Sequence, residues 1–206
     1  MNAVTIFDFD GTLVTTDLGD ELCNAFAPPS WREIDAAWER RELSLHEAQR
    51  RMWALVRATR SQVLEWVAAN ATLRPGLDAL LRRLTARGER VVLASGGFDV
   101  YVEPVLGTRL ARFDAAFYNR LTFDGSSVAV DFPHLDALGC DLCAVCKGKV
   151  CDRYRHGGAR VTFVGDGTSD RCAIGHADRL FAVRDSKLAR AAGDGATSFD
   201  SFDESE

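Results

Sequence analysis

Residues 4–12 read VTIFDFDGT, and this stretch decides the fold of the chain. Residues 4–7 are apolar or β-branched, which is typical of a short strand buried inside a parallel sheet. The strand leads directly into Asp8 and Asp10, which stand two residues apart and are expected to point to the same side. We therefore predict a buried strand that delivers two carboxylates to its carboxyl end, the edge at which α/β sheets bind their ligands.

The sequence from residue 75 onward continues with the same kind of pattern. Apolar runs predict strands at 91–94, 115–118, 161–164 and 180–183, and the segments between them predict helices at 75–88, 99–106, 149–156 and 187–192. Residues 121–123 and 128–130 flank Asp124 and Gly125, which predicts a β-hairpin. Strands that alternate with helices predict an α/β fold with a doubly wound, mostly parallel sheet and helices on both faces.

The region at 16–73 has a helical pattern throughout. Helices are predicted at 17–26, 30–40, 44–57 and 61–70, with capping boxes formed by Ser30 and Glu33 and by Ser44 and Glu47. We expect this region to be a separate helical cap. It would be inserted into a catalytic core made of residues 1–15 and 74–206.

Composition and charge limit the classes of function. The chain has 206 residues and a formal net charge of −5, with 25 basic residues spread among 30 acidic ones, so we expect no nucleic-acid partner. No apolar stretch approaches the roughly 18 residues of a membrane span, and no basic leader precedes the first strand. We therefore expect a cytoplasmic protein without a membrane partner. The acidic tail at 200–206 is expected to be frayed.

Polar motifs also follow the later predicted strands. The SGG sequence at 95–97 offers a hydroxyl group and unhindered amides, which suit phosphoryl oxygens at the start of a helix. Asp166 and Asp170 lie in GDGTSD and supply the oxygen ligands that Mg²⁺ prefers. Lys147 or Lys149 would add a compact cation, because two of the three lysines of the chain lie within CKGK.

Four motifs, in this order, resemble those of the haloacid dehalogenase superfamily: DFDGT from Asp8, then Ser95, Lys147 and GDGTSD around Asp166. The resemblance covers nearly the whole chain. The helical insertion between the first two motifs resembles the cap of the phosphoserine-phosphatase-like branch, which closes over small substrates. Superfamily members that dehalogenate lack a carboxylate at the position of Asp10, so the resemblance implies phosphate chemistry here.

The resemblance implies a role for each aspartate of the motifs. Asp8 would attack phosphorus and form an aspartyl phosphate, while Asp10 would protonate the leaving alcohol and then activate water. Mg²⁺ would be held by Asp8, by the main-chain carbonyl of Asp10 and by Asp166.

Other residues would hold the phosphoryl group or the substrate. The phosphate-binding residues expected from the resemblance are Thr12, Ser95, Gly96 and Lys147. Lys147 is preferred to Lys149 because the family lysine directly follows the cysteine, and Asp170 would orient Lys147 or a water molecule on the metal. Arg51 would lie on the cap and could meet an anionic group of the substrate.

The substrate is expected to be a small phosphorylated metabolite, and several alternatives stay open. The sequences SGGFD at 95–99 and DFPH at 131–134 look like those of the methionine-salvage phosphatases, which act on 2-hydroxy-3-keto-5-methylthiopentenyl-1-phosphate. CKGK at 146–149 also looks like the phosphoethanolamine and phosphocholine phosphatases, and phosphoserine is a third alternative. The same residues would permit phosphotransfer to another acceptor, and a catalytically idle binding protein is the alternative outside the enzymes.

Cysteines cluster in the sequence before and after Lys147. Cys140, Cys143, Cys146 and Cys151 have a spacing that could bind zinc, and the spacing also resembles iron–sulfur loops. The alternative is a set of reduced thiols on a loop whose lysine is the functional part. The two other cysteines, Cys23 and Cys172, are expected to be small core residues.

Overall fold

The computed structural model describes residues 2–203. Its strands are β1 (Ala3–Phe7), β2 (Arg90–Phe98), β3 (Ala115–Asp124), β4 (Ser127–Asp131), β5 (Arg160–Gly165), β6 (Arg179–Val183) and β7 (Thr197–Phe199). Its helices are α1 (Leu18–Phe26), α2 (Trp31–Glu39), α3 (Leu45–Trp53), α4 (Arg60–Asn70), α5 (Leu77–Ala86), α6 (Asp99–Leu106), α7 (Leu135–Leu138), α8 (Lys147–His156) and α9 (Lys187–Ala192), with 3-10 helices at Gly107–Arg112, Ser169–Ala173 and Gly193–Gly195. Within the described residues, no helix is long and apolar enough to cross a membrane.

The strands form one sheet in the order β4-β3-β2-β1-β5-β6-β7. Every neighbouring pair is parallel except β3 and β4, which form the predicted hairpin. β1 therefore lies at the centre of the sheet, and the chain crosses from it to β2 on one side and later to β5 on the other. The predicted doubly wound sheet is confirmed.

Helices cover both faces of the sheet because successive side chains of a strand point to opposite faces. Ile6 packs in one hydrophobic cluster with Val150 of α8 and Leu188 of α9. The neighbouring Phe7 packs in a second cluster with Leu81 of α5. These two cores hold β1 rigidly, so the loop after Phe7 has a fixed starting point.

Helices α1 to α4 all lie in the insertion between β1 and β2. The segments that lead into and out of the insertion run side by side, because Val14 and Leu73 form an antiparallel bridge. The amide of Thr15 donates to the carbonyl of Thr72 at 3.0 Å. The insertion thus leaves and re-enters the core at neighbouring points. Its division from the core at residues 16 and 73 stays a prediction.

Helix ends in the insertion differ in part from the predicted ones. The Ser44 hydroxyl accepts from the amide of Glu47, as expected, but α3 ends at Trp53 rather than at residue 57. Ser30 makes no side-chain cap, because its backbone is already helical (φ −60°, ψ −16°) and its hydroxyl is not placed to accept from the first turn. A complete capping box instead begins α4, where Thr59 and Gln62 hydrogen-bond each other reciprocally.

The segment at 200–203 is ordered against the core, so the prediction of a frayed tail is wrong for these residues. Phe202 is 1% exposed and packs edge-on against Phe7, with ring centroids 6.0 Å apart. Its amide also donates to the carbonyl of Pro75 at 2.9 Å. Burial of an aromatic ring outweighs the acidic neighbours here. Residues 204–206 lie outside the described residues.

Candidate active site

The loop after β1 brings Asp8 and Asp10 to the carboxyl end of the sheet. The amide of Asp8 donates to the carbonyl of Val164 on β5 at 2.9 Å, and Asp8 is 4% exposed. Gly11 has a φ of +69°, and a Cβ atom there would lie 2.3 Å from the Asp166 carboxylate. Only glycine allows this backbone conformation and this approach together. The loops after β1 and β5 are therefore in direct contact.

Lys147 lies at the start of α8 and is buried, with 1% of its surface exposed. Its Nζ atom is 3.4 Å from Asp8 Oδ1 and 3.1 Å from Asp170 Oδ1, and it donates to Ser169 Oγ at 2.8 Å. A buried ammonium group must be paired with opposite charge. The arrangement fixes one positive charge beside Asp8.

Asp170 organises the loop that follows β5. Its Oδ2 atom accepts from the amides of Asp166 and Gly167, each at 2.9 Å, while its Oδ1 atom faces Lys147. A Cβ atom on Gly165 would lie 2.5 Å from Asp170 Oδ2, so this glycine makes room for the carboxylate. Asp170 thus connects the lysine to the backbone that carries Asp166.

Oxygen atoms of Asp8, Asp166 and Asp170 lie within 4.8 Å of one another. Burial raises the pKa of Asp8 well above its ordinary value, and the charge of Asp170 raises it further, against the opposing effect of Lys147. Burial and Asp170 likewise raise the pKa of Asp166 to about 7. Hard divalent cations prefer crowded carboxylate oxygens, so the chemistry of this donor set fits Mg²⁺.

Asp10 is held by two donors. Its Oδ1 atom accepts from the amide of Leu18 at the start of α1 at 2.9 Å, and its Oδ2 atom accepts from the Tyr101 hydroxyl at 3.3 Å. Burial, followed by the charges of Asp17 and Asp8, raises the pKa of Asp10 well above its ordinary value. Asp10 can therefore keep a proton that a solvated aspartate would lose. Sequence reasoning did not identify Tyr101.

The carboxyl end of β2 brings Ser95 and Gly96 to the same edge of the sheet. Ser95 is fully buried, and its hydroxyl accepts from the amide of Gly97 at 2.8 Å. The carbonyl of Gly96 accepts from Gln49 Nε2 on α3 at 2.9 Å and from Asn119 Nδ2 on β3 at 2.8 Å. These contacts hold the carboxyl end of β2 in place and connect it to the insertion.

Thr12 is also part of this edge but faces a different partner. Its hydroxyl donates to Asp166 Oδ1 at 3.0 Å, and the residue is fully buried. Thr12 is absent from the residues that line the cleft. The structure therefore places it as a support for Asp166 rather than where a phosphoryl group would bind.

A cleft of about 400 Å³ opens above these residues. Its floor is formed by loops that follow the strands and includes Asp8, Asp10, Gly96, Lys147 and Asp166. Its wall comes from α1, α2 and α3 and from the neighbouring end of β2. The acidic wall residues are Asp17, Asp20, Asp35 and Glu39, and the apolar ones are Trp38, Leu45, Ala48, Met52, Trp53 and Phe98. Lys187 and Arg190 add positive charge at one side.

The profile of the haloacid dehalogenase-like hydrolase family matches residues 5–174, a span that contains every floor residue. The chain belongs to this family. This membership confirms the predicted superfamily and, with it, the predicted hydrolase class.

Similar proteins carry related names. The 2-hydroxy-3-keto-5-methylthiopentenyl-1-phosphate phosphatase of Exiguobacterium sp. is 29% identical over 184 residues, which cover 88% of this chain and 85% of that protein. The protein of the same name from Brevibacillus brevis is 26% identical, with 87% and 82% covered. Among solved structures, a phospho-aspartyl intermediate analogue of phosphoserine phosphatase has a TM-score of 0.70 at 22% identity, covering 96% of this chain and 92% of that chain. The predicted phosphatase class agrees with these names and is confirmed.

Arg51 does not reach the cleft of this hydrolase. It lies on the outer face of α3, is exposed, and pairs with Glu47 at 2.7 Å. Gln49 and Met52, on the same helix, line the cleft instead. Residues two apart on a helix point in nearly opposite directions, so Gln49 and Arg51 cannot share a face. The predicted substrate contact of Arg51 is not supported, and the two neighbours were missed because the facing side of α3 depends on packing.

The cysteines assemble differently from their predicted grouping. The Sγ atoms of Cys140, Cys143 and Cys146 lie within 4.8 Å of one another, but Cys151 is fully buried in the hydrophobic core under the sheet. Cys172, expected in the core, lies beside the start of α8: its thiol accepts from the amide of Gly148 at 3.5 Å and donates to the carbonyl of Ser169 at 3.2 Å. The thiols of Cys143 and Cys146 lower the pKa of Cys172. Residue 151 lies one turn into α8, where the helix turns its side chain toward the sheet. Cys23 is a core residue, as predicted.

Proposed function

We propose that this hydrolase is a Mg²⁺-dependent phosphomonoester phosphatase that works through an aspartyl phosphate on Asp8. The observation that carries the proposal is the position of Lys147, whose Nζ atom is buried between Asp8 and Asp170 on the floor of the cleft. A fixed positive charge beside a buried carboxylate suits a reaction in which negative charge collects at a transferring phosphoryl group.

In the first half of the reaction, an oxygen of Asp8 attacks phosphorus. The new bond joins Asp8 to phosphorus, the ester bond breaks, and the leaving alkoxide takes a proton from Asp10. The raised pKa of Asp10 supports its role as the proton donor, and the Leu18 amide and the Tyr101 hydroxyl keep its carboxyl group oriented. Lys147 and the end of β2 at Gly96 and Gly97, which line the cleft, hold the phosphoryl oxygens; Ser95 is fully buried and supports this strand end through the Gly97 amide.

In the second half, water attacks the phosphorus of the aspartyl phosphate. Asp10, now ionised, accepts the proton of that water, the bond between Asp8 and phosphorus breaks, and inorganic phosphate leaves. Asp8 returns as a carboxylate and Asp10 returns protonated. Lys147 stabilises the Asp8 carboxylate at this step, since their charged atoms lie 3.4 Å apart.

The residues that would hold the metal are Asp8, Asp166 and the main-chain carbonyl of Asp10. Mg²⁺ bound by these residues would supply positive charge beside the phosphoryl oxygens and would lower the pKa of the neighbouring carboxylates. Thr12 keeps Asp166 oriented through its hydroxyl, and Asp170 holds the main chain of the same loop. The fit rests on the three crowded carboxylates of Asp8, Asp166 and Asp170. The pKa values of Asp8 and Asp166 are raised, so a bound cation would favour the ionised form of both.

The preferred substrate is a small phosphate ester with an apolar tail, such as 2-hydroxy-3-keto-5-methylthiopentenyl-1-phosphate. Relatives that match over most of both chains carry that name. Met52, Trp53 and Phe98 give the cleft an apolar side that suits a thioether. Trp53 and Phe98 also pack edge-on with centroids 5.0 Å apart, which makes that side rigid.

A second candidate is an aminoalkyl phosphate such as phosphoethanolamine or phosphocholine. The observation that favours it is the row of carboxylates at Asp17, Asp20, Asp35 and Glu39 along the same cleft. Anionic walls attract an ammonium group and repel a carboxylate, which disfavours phosphoserine. Glu39 is paired with Lys187, so Asp17, Asp20 and Asp35 are the groups that would meet the cation.

The test is phosphate release from a panel of these esters, each with Mg²⁺ and with EDTA. We expect one ester to be hydrolysed much faster than the rest, only with Mg²⁺, and not by an Asp8→Asn variant. The same assay with added alcohols would reveal phosphotransfer as new phosphate esters. Absence of release from every ester by a folded wild-type protein would overturn the phosphatase proposal in favour of a binding protein.

A further inference from the structure

Three thiols form a compact group just before α8. The Sγ atoms of Cys140, Cys143 and Cys146 lie within 4.8 Å of one another, and the group is separate from the carboxylates of the floor. A tetrahedral zinc ion with Zn–S bonds of about 2.3 Å has sulfur atoms about 3.8 Å apart. The three sulfurs are therefore close enough to occupy three corners of one tetrahedron.

The fourth sulfur comes from another part of the chain. Cys172 lies in the 3-10 helix Ser169–Ala173, and its Sγ atom accepts from the amide of Gly148, two residues after Cys146, at 3.5 Å. The thiols of Cys143 and Cys146 are near enough to lower the pKa of Cys172. This residue would not be paired with the loop by sequence spacing, because 25 residues and a strand separate it from Cys146. The two segments together present four sulfurs, as structural zinc sites commonly do.

Main-chain amides point at the sulfur atoms. The amide of Gly148 donates to Cys172 Sγ at 3.5 Å. Against the effect of burial, the amides of Leu142 and Cys143 lower the pKa of Cys140. Donors of this kind favour thiolates, the form in which cysteine binds metal. A Cβ atom at position 148 would lie 2.3 Å from the Cys172 carbonyl oxygen, so Gly148 permits the close approach of the two segments.

The chemistry of four clustered sulfurs selects among metals. Thiolates prefer Zn²⁺ or iron, and hard ions such as Mg²⁺ prefer oxygen. An iron–sulfur cluster distributes its cysteines over two or more iron atoms, so three or more of them lie farther apart, taken together, than on a single ion. The close spacing of Cys140, Cys143 and Cys146 favours one ion.

We propose that Cys140, Cys143, Cys146 and Cys172 bind one Zn²⁺ ion in a closed, structural site. Binding forms four Zn–S bonds and releases the thiol protons to water, which leaves a centre of net charge −2. The site requires no oxidant or reductant, because zinc does not change its oxidation state.

The ion would connect three parts of the active site. Cys146 directly precedes Lys147, and Cys172 follows Asp170 by two residues. The same loop reaches the insertion, since the carbonyl of Leu142 accepts from the amide of Leu45 at the start of α3 at 2.8 Å. Zinc would therefore fix the spacing between the buried lysine and its carboxylate partner.

The first experiment measures metal per chain in the purified full-length protein grown with added zinc, with elemental analysis as the readout. We expect about one zinc per chain in the wild type and in Cys151→Ala, and a loss of at least tenfold in zinc affinity in Cys172→Ala. Cys151 is the matched control because it has the sequence spacing of a ligand but lies in the core. If Cys172→Ala keeps its zinc and Cys151→Ala loses it, the assignment is overturned. Finding iron together with acid-labile sulfide in the purified protein would overturn it as well.

A second measurement covers the case in which Cys172→Ala does not fold. Wild-type protein is loaded with Co²⁺, and four thiolates should give intense sulfur-to-cobalt charge-transfer bands together with the strong visible bands of a tetrahedral ion. Cys140→His should still bind Co²⁺, with a shifted spectrum, whereas Cys140→Ala should bind Co²⁺ more weakly. Weak bands of six-coordinate cobalt, or a disulfide among the four cysteines in mass spectra of freshly purified protein, would refute the site. Neither readout depends on phosphatase activity.

Discussion

The floor of the cleft is made by loops that follow parallel strands, whereas its wall is made mainly by three helices of the insertion. On the floor, each charged group is held by backbone or by a partner: Asp170 binds two amides, and Lys147 is paired with Asp8 and Asp170. On the wall, Asp20 and Asp35 line the same cavity without a comparable partner, and burial raises the pKa of both.

The difference assigns separate tasks to the two regions. A rigid, fully paired floor can position a phosphoryl group and hold charge where it develops, so it determines the reaction. The wall combines unpaired carboxylates with Met52, Trp53 and Phe98, so it determines which ester binds. Substitutions on the floor should therefore reduce kcat, and substitutions on the wall should change KM and substrate preference.

Asp8→Asn should have the largest effect. Asparagine has the same size but is a far weaker nucleophile, so we expect kcat to fall by more than about a thousandfold. Because burial raises the pKa of Asp8, a neutral replacement should not lower the unfolding temperature. Steady-state phosphate release and thermal unfolding check the two statements. Asp124→Asn, at the exposed end of β3, is the matched control and should keep wild-type activity.

Lys147→Met should have the next largest effect. The substitution keeps an unbranched side chain only one heavy atom shorter but removes the charge beside Asp8, and loss of one such group costs about a hundredfold in kcat. Lys149→Met is the matched control, because Lys149 is exposed two residues away. Equal losses in both variants would mean that the buried ammonium has no special role in the reaction.

Much of the floor follows from local sequence rules, which explains why it could be predicted. Asp8, Asp10 and Asp166 directly follow apolar strands, and a parallel sheet brings the carboxyl ends of its strands to one edge whatever the details of packing. Glycine marks the same loops, since Gly11 and Gly165 admit carboxylates at distances that a Cβ atom would forbid.

The wall and the cysteine cluster depend on contacts between distant segments, which explains why sequence patterns failed there. Which face of α3 meets the cleft is set by packing, so Gln49 was missed and the possible substrate contact of Arg51 is not supported. Cys172 joins its cluster only because the 3-10 helix after β5 packs against α8, and no sequence spacing records that contact. Tyr101 likewise reaches Asp10 from a helix 91 residues away in sequence.

Gln49→Ala should have a moderate effect, and it tests whether a wall residue changes KM rather than kcat. The variant removes the hydrogen bond from Gln49 Nε2 to the Gly96 carbonyl. A net contribution of about 1 kcal/mol corresponds to a rise in KM of about fivefold with little change in kcat. Arg51→Ala on the outer face of the same helix should stay close to the wild-type KM. Steady-state kinetics compares them, and a larger effect at Arg51 would show that α3 faces the substrate differently.

Asp20→Asn should have the smallest effect on activity, and it tests the role of the carboxylates on the wall. Burial, Asp17 and Asp35 raise the pKa of Asp20 from 3.8 to about 8, so between these values the unfolded chain has lost a proton that the folded chain keeps. The contribution of this carboxyl group to stability is therefore full at low pH and is lost as the pH rises toward 8. Asp20→Asn should unfold at a temperature higher than the wild type by a few degrees at pH 8, and by less at pH 5. Glu21→Gln, at its exposed neighbour, is the matched control.

If Asp20→Asn also raises KM for phosphoethanolamine but not for the methylthio ester, the carboxylates of the wall recognise an ammonium group, and their unfavourable burial has a function in binding.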